Sequence, residues 1–131
     1  MSSRATSEDL WDVLNHAFTD LAVRLKDLNA RLTWTIGHRE SEAFPFTGYI
    51  SFSRDGTPGQ EDLVLSVGVQ RKAGQLLWIT DLASGDGEVL AEGPSCTVEG
   101  APDLARWVAA PLADTLSFLR EVEPLLAELL S

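Results

Sequence analysis

Leu10, Leu14, Ala17, Phe18, Leu21, Leu25, Leu28 and Leu32 recur every three or four residues, which is the period of a single helix face. The pattern predicts an amphipathic helix over residues 7–32. Ser7 is placed to cap it, and Glu8 and Asp9 complement the positive end of its dipole. Trp11 falls at the edge of the apolar stripe, and Asp12, His16, Asp20 and Asp27 occupy the opposite face.

Beyond Leu32 the period shortens to two. Residues 32–36 and 46–53 alternate and are rich in aromatic and β-branched side chains, as half-buried strands are. The polar span 37–43 reads as the loop between them, and Asp55-Gly56-Thr57-Pro58-Gly59 reads as a turn. The strongest strand pattern is 63–70, with Leu63, Leu65, Val67 and Val69 on one face. Lys72-Ala73-Gly74 predicts a tight hairpin into a strand at 75–82. Ser84-Gly85-Asp86-Gly87 predicts a second hairpin into 88–92, which stops before Gly93-Pro94.

Apolar spacing of three and four returns after Pro102. It predicts a helix to about Ala110, an interruption at Pro111, and a second helix over 112–130. That second helix has an apolar arc of about 180°, wide enough to touch two surfaces. Pro124 lies on its polar side, where a missing amide should bend it.

Helix, strands, helix in that order predicts one α+β domain over residues 1–131. Its antiparallel meander of four to five strands should be packed on one face by the N-terminal helix and one or two C-terminal helices. Membership of 32–36 in that sheet is the least determined part. The chain has 131 residues, 44% hydrophobic and 23% charged, so about two-thirds of the extended surface can be buried without disulfides.

Charge changes the functional picture. The formal net charge is −10, and residues 81–131 hold ten acids against Arg106 and Arg120, so −8 of the total resides there. Such a surface repels phosphate backbones and anionic lipids, which argues against nucleic acid and membrane partners. It also suits solubility or a basic protein partner. One cysteine, Cys96, permits no intrachain disulfide and suggests a small, partly buried structural thiol. The start lacks the apolar run of a signal peptide, and a cytoplasmic location is the expectation.

Candidate chemistry is sparse. Asp12, His16 and Asp20 share a helix face, yet a zinc site needs a third strong ligand and the residues read more simply as a solvated face. His38-Arg39-Glu40 reads as a polar connector, and a meeting of the two histidines with Cys96 would depend wholly on the fold. No phosphate-binding glycine loop, nucleophile elbow or helical zinc motif occurs, and neither Asp-Gly segment has the donor spacing of a calcium loop. No metal or cofactor is assigned. Four tryptophans are many for this length. Trp34, Trp78 and Trp107 suit either a core or the wall of a ligand pocket.

In outline, helices flanking an antiparallel sheet in a small acidic chain resemble the type III secretion chaperones and many toxin-immunity proteins. The chaperone pattern has a helix between its strands, for which Lys72-Ala73-Gly74 leaves no room, and no residue roles are carried over. The expectation is a non-catalytic protein-binding module of the immunity, adaptor or chaperone kind. It would use an acidic surface and the apolar C-terminal helix, with Phe118, Leu125, Leu126, Leu129 and Leu130 at the interface with another protein or in a homodimer. The alternative is a small-ligand-binding protein or small enzyme with an aromatic-lined pocket between sheet and helices.

Overall fold

A computed structural model describes residues 7–57, 59–98 and 104–131, and the side chains of 11–57, 59–97 and 112–131. The order is α1 (Ser7–Lys26), β1 (Thr33–Arg39), β2 (Phe46–Ser53), β3 (Leu63–Lys72), β4 (Gln75–Ser84), β5 (Val89–Glu92), β6 (Cys96–Val98) and α2 (Leu104–Leu130). The strands form one antiparallel sheet in the order β1-β2-β3-β4-β5, with β6 also pairing with β4. The expected α+β meander is therefore present, and β1 belongs to it.

Strand parity builds the core. Phe46, Ile50 and Phe52, then Leu63, Leu65, Val67 and Val69, then Trp78 and Leu82 are buried on one face, where they meet Leu14, Phe18, Leu21 and Leu25 of α1 and Val122, Leu126 and Leu130 of α2. Full burial of each large aliphatic side chain contributes about 1.5–3 kcal/mol. Two glycines on this face admit aromatic rings. A Cβ at Gly48 would lie 3.1 Å from the Trp11 ring, and one at Gly93 would lie 2.7 Å from the Phe118 ring.

The structure corrects several boundaries. α1 stops at Lys26 rather than continuing to Leu32. Asn29 fixes the exit, donating through Nδ2 to the carbonyls of Arg54 (3.0 Å) and Leu130 (2.7 Å) while its Oδ1 accepts from the Arg31 amide. His38 and Arg39 belong to β1, so the connecting loop is shorter than its polarity implied. The β3–β4 turn places Ala73 and Gly74 at φ of 52° and 77°, the positive values that a primed two-residue hairpin requires.

The edge strand does not stop at Gly93-Pro94. Asp81 pairs with Glu92 and Trp78 with Cys96, so one extra residue is accommodated between them and pairing resumes as β6. α2 runs without a break through Pro111. Pro124 is exposed on it, and Pro102 lies outside the described residues. Cys96 is exposed, not structural. It sits on the edge opposite β1, which keeps its thiol away from His38.

Candidate functional site

Both helices lie on the face that carries Trp78 and Ile50, so among the described residues no helix covers the other face of the sheet. Alternation decides what is displayed there. Across the strands run Thr35, Ser51, Val64 and Ala83 in one row, and Gly37, Tyr49, Ser66, Asp81 and Glu92 in the next. Most of these side chains are small and uncharged. Tyr49 lies across Gly37, and the Arg39 guanidinium sits 5.2 Å from the Tyr49 ring centre, which closes the β1 end of the face.

At the other end, over β4, the face forms a groove of about 490 Å³. Leu77 and Ile79 supply an apolar floor, Gln70 and Lys72 of β3 one wall, and Glu92 with Thr97 the other. Asp81 and Glu92 are direct cross-strand partners, so two carboxylates share one end of the groove. Partial burial pushes the Asp81 carboxyl above its ordinary value, and Glu92 adds to the shift. A cation placed between the two acids would relieve both effects.

Cys96 also borders the groove, but its pairing with Trp78 puts its side chain on the helix face, where the thiol is held above its ordinary pKa, first by desolvation and then by the Asp114 carboxylate. That lowers its thiolate fraction at neutral pH and makes it a poor nucleophile. Asp86, in the β4–β5 turn, is lowered by hydrogen bonds from the Ser84 hydroxyl and the Glu88 amide, which is turn chemistry remote from the groove.

Trp34 and Trp78 do not converge. Trp78 is fully buried, and its indole Nε1 donates to Thr115 Oγ1 at 2.9 Å. Thr80 Oγ1 lies 3.2 Å from the same hydroxyl, so a small polar lock joins β4 to α2. Trp34 is half-buried at a separate hollow of about 180 Å³ beside Ser51 and Gln60, with Lys26 Nζ 5.9 Å from its ring centre. The side chain of Trp107 lies outside the described residues. Between sheet and helices the described side chains form one packed cluster.

On α2, Phe118, Leu126 and Leu130 are buried in that cluster, Leu125 is half-buried and Leu129 is 38% exposed. The wide apolar arc is thus largely taken up by the chain's own sheet and α1. Asp12, His16 and Asp20 remain on the exposed face of α1, while the His38 ring lies tilted by 44° against Trp11 with ring centres 4.7 Å apart.

The Asp81–Glu92 pair was not legible in the sequence. Counting outward from the Ser84–Gly87 turn, Ala83 pairs with Val89, which would set Asp81 opposite Ala91. A register shift that skips Leu90 moves Glu92 into place. Compared with models of protein families, with curated proteins and with solved structures, the chain matches none of them.

Proposed function

We propose that the chain is a protein-binding module whose docking surface is the open face of the sheet and whose partner is basic there. The observation that carries this reading is the groove over β4, where Leu77 and Ile79 lie beside the paired carboxylates of Asp81 and Glu92. An Arg or Lys side chain matches that combination. Its methylenes cover the apolar floor while its charged head meets the acids. A net charge of −10 speeds the approach of a basic partner and discourages acidic ones. The apolar helix α2 contributes less to docking than its sequence pattern suggests, because most of its large side chains are already buried.

The test uses two peptides of equal length, one carrying alternating arginines and one with glutamates in their place. They are titrated into the labelled protein, and amide shifts are followed. The arginine peptide should move the amides of β4 and β5, and Asp81→Asn with Glu92→Gln should weaken its binding by about tenfold, the scale of a lost charged contact. Equal shifts from both peptides would reject the reading, as would binding insensitive to the two substitutions.

A further inference from the structure

The two edges of the sheet differ in kind. On one side β5 and β6 are short, are separated by the irregular Gly93-Pro94-Ser95 step, and carry Glu92, all of which discourage another strand from adding. On the other side β1 pairs with β2 without a register shift over all seven residues, contains no proline, and has no hydrogen-bonded neighbour beyond it among the described residues. Every second residue there turns its amide and carbonyl outward.

We propose that a second copy of the chain occupies this edge. Its β1 would run antiparallel to the first about a two-fold axis at Ile36, so that the two sheets become one. In that register Trp34 faces His38 of the second copy, Thr35 faces Gly37, and Thr33 faces Arg39. Parity is preserved, so core-facing residues meet core-facing residues and the helices of both copies lie on the same side.

Helix α1 supplies the independent argument. Lys26 Nζ lies over the Trp34 ring and donates to the Leu32 carbonyl at 3.0 Å, which identifies the flank of α1 that overhangs β1. The other flank carries Arg24, bound through its guanidinium to Glu123 of α2. At 100° per residue Asp12, Asn15, Thr19 and Val23 share the Lys26 flank within an arc of about 80°. Asp12, Asn15, Thr19 and Lys26 are exposed, and Val23 is 51% exposed.

α1 runs from Trp11 beside His38 to Lys26 above Trp34, opposite in direction to β1. The two-fold axis at Ile36 therefore sets this flank against itself. Asp12 meets Lys26 of the second copy, Asn15 meets Val23, and Thr19 meets Thr19. With strands about 4.8 Å apart and each α1 seated over β1 and β2, the two helix axes fall about 10 Å apart, a normal packing distance.

Charge selects a second copy as the occupant. Two molecules of net charge −10 repel, yet β1 has no acid. Among the side chains described on that flank the only acid is Asp12, and it is matched by a lysine. Eight of the ten net negative charges belong to residues 81–131, whose strands β5 and β6 form the far edge.

The mass of the intact chain in solution, by light scattering at micromolar concentration, should be twice that of one chain. Asp12→Lys and Lys26→Asp should each weaken association by about tenfold, since each reversal acts at two symmetric contacts, and combining them should restore it. Thr19→Cys in a Cys96→Ser background should form a symmetric disulfide under mild oxidation. A monomer throughout overturns the proposal. So does a dimer that ignores both reversals and fails to cross-link through residue 19.

Discussion

Asp81 lies on the open face of β4 with its carboxyl raised above the usual value of 3.8, first by desolvation and then by Glu92. The folded state therefore holds this proton more tightly than the unfolded chain does. Its contribution to stability is fully present below pH 3.8 and is lost as pH rises through the raised value. At pH 7 the ionised group opposes folding. Asp81→Asn should accordingly raise the urea midpoint slightly at pH 7 and leave it unchanged at pH 3. Destabilisation at pH 7 would show that the carboxylate makes a favourable contact within the fold. A carboxylate retained at such a cost fits a binding role, because groups placed for a partner often lower the stability of the free protein.

Among the elements, α2 departs furthest from the sequence reading. The break expected at Pro111 is absent, and the wide apolar arc serves the fold itself. The hydroxyl of Thr115, fully buried, accepts from the Trp78 indole and also contacts Thr80, so α2 is tied to β4 by a polar contact inside an apolar layer. Thr115→Val leaves the indole N–H in that layer without a partner and should cost about 1–3 kcal/mol in chemical denaturation. Thr115→Ser keeps the acceptor and should recover most of that loss. Equal losses for the two variants would assign the effect to packing of the threonine methyl. The strands were better anticipated, since the residues of β2 and the start of β3 follow directly from alternation. β6 was hidden because Gly93-Pro94 reads as a stop. Only the pairing of Cys96 with Trp78 shows that the chain bulges there and continues.

At the scale of the whole molecule, self-repulsion competes with a small number of ion pairs among the described residues. The contact of Arg24 with Glu123 joins the two helices at 2.9 Å, but both side chains are partly exposed, 51% and 30%, and such a pair contributes at most about 1 kcal/mol. The net charge of −10 acts over the entire surface and is screened by the same ions. Repulsion should win, so the thermal midpoint should rise between low and moderate sodium chloride. A midpoint that falls instead would mean that local ion pairs outweigh the net charge. Screening should also weaken an arginine-rich peptide at the β4 groove, giving stability and basic-partner affinity opposite salt dependences.

Hydrophobic periodicity together with the short turn segments determined the α+β class, the meander and most of the core, because burial of alternate strand positions and of one helix stripe is dictated locally and short connections force antiparallel neighbours. The residues at Ile50, Leu65, Val67 and Leu82 were fixed in this way. Register, and which of two apolar surfaces covers a third, depend on contacts between residues far apart in the chain. Tertiary structure alone therefore set Asp81 beside Glu92 and left the sheet's second face without a covering helix among the described residues. It also buried Trp78 against Thr115 and turned most of the apolar arc of α2 onto the chain's own sheet and α1.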